Sequence, residues 1–218
     1  MTTRVYLARH GTTVSTEEDR FAGETDVALS DLGRRDARAL GARLKGRPIA
    51  AFYASSLRRA LETARLVAEP HGMTVVPRPE LREMSHGRWE GKTRAQVRKL
   101  YPDEYARWEA DPFSFAPEGG ETGRAVSARA LPALLEIVAA HQRESVLIVS
   151  HKATIRLLVC ALIGLDGRTY RNRLDQSPAC LNVLDFASPS RPRLMLFNDT
   201  SHCGDAASKP GAEAGVSG

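Results

Sequence analysis

A chain of 218 residues with 42% hydrophobic and 26% charged side chains has the length and composition of one globular domain with a sizeable core. Its net charge of +5 comes from arginines scattered through helical stretches, and aromatic residues make up only 6%, so neither the basic stripe nor the stacking platform of a nucleic-acid binder stands out. The most apolar run, "IRLLVCALIGL", is too short for a membrane span and contains Arg156, and three cysteines without CxxC spacing favour a cytoplasmic protein with free thiols.

The segment "RVYLA" follows the initial Met closely and reads as a strand, so no secretory signal is expected. A polar loop leads to a helix from about Ser30, with Leu32, Leu40 and Leu44 on one face. "AAFYAS" is a second strand. It is followed by the helix "SLRRALETARLVAEP", with Leu57, Leu61, Ala64 and Ala68 at helical spacing and Pro70 as its stop. "MTVVP" is a third strand. Thr93 and Gln96 form a capping box that opens the helix "TRAQVRKLYP". A loop with Pro117, Gly119 and Gly120 precedes a long helix from about Val126 to His141. "SVLIVS" is the clearest buried strand, the apolar helix "ATIRLLVCALIGL" comes next, and the strands "CLNVLDF" and "RLMLF" close the domain. Strands alternating with helices predict an α/β domain with a largely parallel sheet. A single domain is expected over 1–199, with a helical insert at about 93–120. The small, Gly/Ala-rich end over 200–218 is expected to be a disordered tail.

The stretch "MSHGRWEGKT" ends like a nucleotide-binding P-loop, but its spacing fails. Four residues must separate the first Gly from Gly-Lys-Thr, and that position holds His86. The preceding "RPELREMSH" is also charged and proline-containing rather than a buried strand. Gly91 reads as a turn and Thr93 as a helix cap.

The chemistry gathers elsewhere. In open α/β sheets, ligands bind beyond the carboxyl ends of the strands. Arg9 and His10 follow the first strand, Ser55, Ser56, Arg58 and Arg59 the second, Glu83 the third, and His151 follows "SVLIVS". Each alone has an ordinary structural explanation; their shared placement after successive strands is the signal. A neutral imidazole is a competent nucleophile near pH 7. Arginines match the oxygens of a phosphoryl group in transfer, and helix N-termini add dipoles. A carboxylate can protonate the leaving alkoxide and later activate water. No HxxxH, CxxC or DxD spacing offers a metal site, and no cofactor is expected.

The segments "LARHGTT", "RFAGETDVALSDLG", "SSLRRALETA", "LREMSHGRWEG", "GGET" and "VLIVSH", spread from about Arg4 to Phe197, resemble the histidine phosphatase superfamily, also called phosphoglycerate mutase-like. The resemblance implies a three-layer α/β/α sandwich of the phosphoglycerate mutase type. It makes His10 the phosphorylated nucleophile, Arg9 and Arg59 (not Arg58) phosphate clamps, Glu83 the general acid and base, and His151 the second phosphate-binding histidine. "EMSHGRWEGKT" with a short insert is more like the broad-specificity phosphatase branch than a cofactor-dependent mutase. Thr16 stands where many relatives have Asn, Ala22 where many have a polar residue such as Gln, and Lys152 where many have Gly. These positions, with Gly23, are the expected substrate-binding residues. Lys152 is as readily a solvated lysine at a helix start as a partner for a second anion.

The expectation is a metal-independent phosphomonoesterase acting on a small phosphorylated molecule, with no nucleic-acid or membrane partner. A phosphoglycerate mutase and a regulatory phosphatase or binder of a phosphoprotein are the alternatives. A non-catalytic phosphate binder would have lost His10 or Glu83. Whether the chain forms a homodimer is not legible in the sequence.

Overall fold

The structure, a computed structural model, describes residues 2–204; most of the expected tail lies outside the described residues. In chain order the elements are β1 (Thr3–Arg9), α1 (Val14–Glu17), α2 (Asp31–Leu44), β2 (Ile49–Ala54), α3 (Arg58–Ala68), β3 (Val75–Pro77), α4 (Arg94–Leu100), α5 (Pro102–Ala110), α6 (Gly123–Ala140), β4 (Ser145–Ser150), α7 (Lys152–Ile163), α8 (Tyr170–Arg173), β5 (Leu181–Phe186) and β6 (Pro192–Asp199). The six strands form one sheet in the order β3-β2-β4-β1-β5-β6. The pairs β3–β2, β2–β4 and β4–β1 are parallel, and β5 and β6 add an antiparallel edge.

Alternation along each strand divides the core into two layers. Tyr6 and Ala8 of β1 and Leu147 and Val149 of β4 face α2 and α3, meeting Leu40, Leu44, Ala60, Ala64 and Val67. Val5 and Leu7 of β1 and Val146 and Ile148 of β4 face the opposite way, toward Leu134, Ile137, Ile155 and Leu158 of α6 and α7. Strands covered on both faces need continuous apolar runs, and "SVLIVS" and "RVYLA" are such runs. Each fully buried aliphatic side chain contributes about 1.5–3 kcal/mol through burial.

Most elements form where the sequence predicts them, with informative differences. The buried stripe of α3 is Arg59, Ala60, Thr63, Ala64, Val67 and Ala68, while Leu57 and Leu61 are half-buried. The stripe is rotated because Arg59 and Thr63 occupy part of the inward face, reaching the rim of the sheet. Pro70 sits in a single 3-10 turn at 69–71 rather than at a clean stop. Gly91 adopts a left-handed φ of 75° and Thr93 caps α4 in a full capping box with Gln96.

The insert carries one helix more than the sequence predicts. Pro102 starts α5 at its first turn, where proline's missing N–H costs nothing. Trp89, Val97, Tyr105 and Trp108 pack with Phe21 into a third cluster. The rings meet edge-on, Trp89–Trp108 at 5.6 Å and Phe21–Trp108 at 5.5 Å between centroids. Backbone bonds from Phe21 N to Lys92 O and from Gly91 N to Phe21 O tie the loop after α1 to the insert.

Candidate active site

The strands β2, β4 and β1 are adjacent and parallel, so their carboxyl ends open on one rim. β1 ends at Arg9 and delivers His10, whose N–H donates to Ser150 O at the end of β4. β4 delivers His151 as the residue preceding α7. β2 delivers Ser55, whose N–H donates to Val149 O, and the first turn of α3 carries Arg59. The structure thus brings Arg9, His10, Arg59, Glu83 and His151 together, all of them buried.

The tautomers of both histidines follow from their partners. His10 Nδ1 lies 2.7 Å from the Gly11 carbonyl, which only accepts, so Nδ1 carries the hydrogen and Nε2 the lone pair. Arg59 Nε, which only donates, lies 3.3 Å from His151 Nδ1. The lone pair of His151 is therefore on Nδ1, and its Nε2–H donates to Ser55 Oγ at 2.7 Å. The ring centroids are 5.0 Å apart. Burial, reinforced by the charges of Arg59 and Arg9, pushes the pKa of His10 well below the ordinary histidine value. Burial and Arg59 do the same to His151. Both rings are neutral at pH 7.

The arginines differ in how they are committed. Arg59 donates from Nη1 to Thr25 O at 2.8 Å and from Nη2 to Ala22 O at 3.0 Å and Gly23 O at 2.8 Å. Arg9 donates from Nη1 to Gln176 O at 2.6 Å, while its buried Nε has no hydrogen-bond partner within the protein. A buried, unpaired guanidinium N–H is costly, and Arg9 Nε is a donor for which the protein itself supplies no acceptor.

Glu83 follows β3 after one 3-10 turn at 79–81. Its Oε1 accepts from Met84 N at 2.9 Å, Thr154 N at 3.2 Å and Thr154 Oγ1 at 3.2 Å, and its Oε2 from Ala153 N at 3.2 Å. The carboxyl group thus sits on the first backbone N–H groups of α7. Arg129 fixes the loop beneath it, donating to the carbonyls of Glu80, Arg82 and Glu83.

The expected substrate residues fare unequally. Ala22 and Gly23 line the site through their carbonyls on Arg59. Thr16, half-buried, turns its hydroxyl onto Thr13 Oγ1 at 2.9 Å. Lys152 begins α7, with Nζ 3.7 Å from Asp175. Arg58 is exposed, and its backbone N–H donates to Asp26. Gln176, Thr154 and Arg129 serve the site without having been singled out in the sequence. Gln176 acts through its backbone carbonyl, which residue type does not reveal. For Thr154 and Arg129, helical position relative to Glu83 is the only signal, and it emerges once the helices are packed. Among the described residues no three or more His, Cys, Asp or Glu side chains are grouped to hold a metal ion, and no helix is long and apolar enough to cross a membrane.

A family model for the histidine phosphatase superfamily (branch 1) matches residues 5–200. The chain belongs to this family. It is 31% identical over 163 residues to "Phosphoserine phosphatase 1" of Hydrogenobacter thermophilus, covering 75% of this chain and 77% of that one. It is 36% identical over 169 residues to "Glucosyl-3-phosphoglycerate phosphatase" of Mycolicibacterium vanbaalenii, covering 74% and 75%. Among solved structures, Bacillus stearothermophilus YhfR superimposes with a TM-score of 0.87 at 33% identity, over 92% of this chain and 99% of that one. This member of the family is a histidine phosphatase-type phosphomonoesterase, and its mixed, mostly parallel sheet is that of the family's structures.

Proposed function

We propose that this phosphatase hydrolyses a small organic phosphomonoester through a phosphohistidine at His10. The observation that carries the reading is the Nδ1–H of His10 on the Gly11 carbonyl, which leaves the Nε2 lone pair to act. In the first step Nε2 forms a bond to phosphorus as the ester P–O bond breaks, and protonated Glu83 gives its proton to the departing alkoxide. In the second, Glu83 takes a proton from water, the water oxygen bonds to phosphorus, and the P–N bond electrons return to Nε2. Arg9, Arg59 and the helix N-terminus at His151 offset the charge on the transferring oxygens.

The substrate is further read as carrying a second anionic group in its leaving portion. Arg94, which is also paired with Asp19 at 3.1 Å, and Arg171 both lie over the Trp108 ring, at 5.6 Å and 3.5 Å from its centroid, and Arg94 also lies over Phe21. Phe21 in turn packs against His86, three residues beyond Glu83. Phosphoserine and glucosyl-3-phosphoglycerate, after which these relatives are named, both bear a carboxylate. Lys152 lies on the same rim, one residue from His151.

The test is phosphate release from a panel of phosphomonoesters with and without a carboxylate, in the presence of chelator, beside His10→Ala. The reading expects release that withstands chelator, favours carboxylate-bearing esters and vanishes in the variant. Isomerisation of phosphoglycerate without release would make the protein a mutase. Release confined to a phosphoprotein would make it a regulatory phosphatase.

A further inference from the structure

Glu90 takes no part in the reaction as proposed above, yet its half-buried carboxylate gathers donors from two separate segments. Oε1 accepts from Gly23 N at 3.0 Å, Glu24 N at 3.2 Å and His86 N at 2.9 Å. Oε2 accepts from Gly23 N at 3.0 Å, Thr25 N at 3.3 Å and Thr25 Oγ1 at 2.6 Å. The carbonyls of this same loop, at Ala22, Gly23 and Thr25, are the ones that hold Arg59. One layer of peptide groups therefore separates an anion from a cation, with N–H ends on Glu90 and C=O ends on Arg59.

The fit is tight. A Cβ on Gly23 would lie 2.0 Å from the Met84 carbonyl oxygen and 2.5 Å from Glu90 Oε1, so only glycine lets the loop close. Burial works against ionisation of Glu90, but the bonds from Thr25 and from the backbone of His86 and Glu24 outweigh it and hold the carboxyl below its ordinary value.

We propose that Glu90 is a positioning residue for phosphoryl transfer: it clamps residues 22–25 so that their carbonyls seat Arg59 against His151, and through His86 N it ties that clamp to the loop bearing Glu83. Without the carboxylate, backbone N–H groups converge on a point with too few acceptors. The loop then opens, and Arg59 loses the carbonyls that fix three of its bonds. A displacement of about 1 Å in such a group lowers rate by on the order of 10²-fold.

The inference rests on Arg59 being a phosphate clamp, and its test separates the two claims. Glu90→Gln keeps the shape and removes the charge; Thr25→Val removes only the hydroxyl donor of an exposed residue. The first readout is the side-chain Nε–H signal of Arg59 in ¹H–¹⁵N spectra, protected in the native protein by its bond to His151. It should broaden or vanish in Glu90→Gln and weaken in Thr25→Val, whether or not the protein turns over any ester. The second is catalytic: kcat/KM falls by on the order of tenfold to 10²-fold in Glu90→Gln, and inorganic phosphate binds more weakly. In an Arg59→Ala background the same substitution costs little more, because the two residues act as one unit. An unchanged Arg59 signal, or a loss in kcat/KM that adds in full to that of Arg59→Ala, would overturn the assignment. If the Arg59 signal responds while the native protein releases no phosphate, the clamp stands and the phosphatase reading fails.

Discussion

An imidazole that gives its Nδ1 hydrogen to a backbone carbonyl has one lone pair left, and in His10 that pair is on Nε2. His151 is fixed the other way round, because the cation beside it can only donate. Burial first and Arg59 next disfavour a proton on either ring. Both should therefore stay neutral through about pH 6.5, the value of an ordinary histidine. Side-chain ¹⁵N NMR should place the midpoint of each ring well below that value, and a midpoint near 6.5 would contradict the account. The sign for stability follows. The unfolded chain takes up these protons at about 6.5 and the folded chain does not, so stability is full above that pH and declines below it. Each ring contributes at most about 1.4 kcal/mol per pH unit, and His10→Gln should flatten the decline. At this scale the histidines and Glu83 were legible in the sequence because each follows a strand, whereas Arg59 was told from Arg58 only by the family's pattern. Glu90 was not, since its donors at Gly23, Glu24 and Thr25 come from 65–67 residues upstream and, the Thr25 hydroxyl apart, are backbone groups with no signature in residue type.

Helix register decides which side chains reach the rim. In α3 the inward stripe includes Arg59 and Thr63, whose hydroxyl accepts from Gly11 N, while Arg58 points to solvent. Arg59→Ala should lower kcat/KM by about 10²-fold or more, as loss of a charge-stabilising donor does. Arg58→Ala should change it by less than about fivefold, the scale of one exposed charge. Steady-state kinetics on the two variants checks this, and a larger loss for Arg58→Ala would put the register of α3 in error. The helix α7 does different work, presenting its N-terminal N–H groups to Glu83. Apolar periodicity suggests Leu57 and Leu61 as the buried face of α3, and it misleads there because a polar site competes for that face. It also passes over α5, whose buried Tyr105 and Trp108 serve the insert's own cluster and whose Pro102 resembles a stop when it is a first-turn residue. The capping box at Thr93 was legible because capping is local chemistry.

For the molecule as a whole, the topology does the assembling. Crossovers that keep β2, β4 and β1 parallel put three loop ends side by side; the alternation of strands and helices makes the parallel sheet readable, but not the strand order. The antiparallel edge of β5 and β6 was less so, since two strands joined by a short connection can close a sheet in more than one place. Gly11 and Gly33 show how closely the layers meet at the rim: a Cβ on either would fall within 2.5 Å of a backbone oxygen of the other segment. The residues that result share one rim: the imidazoles of His10 and His151 with Arg9, Arg59 and Glu83, all buried. Its central claim is a covalent phosphoryl–histidine bond at one atom. The direct measurement is rapid quenching into alkali during turnover, which preserves phosphohistidine, followed by peptide mapping by mass spectrometry. A phosphoryl group should appear on the peptide containing His10, be absent in His10→Ala and accumulate in Glu83→Gln with a good leaving group. Turnover with no phosphorylated peptide, or a phosphoryl group on His151 instead, would contradict it.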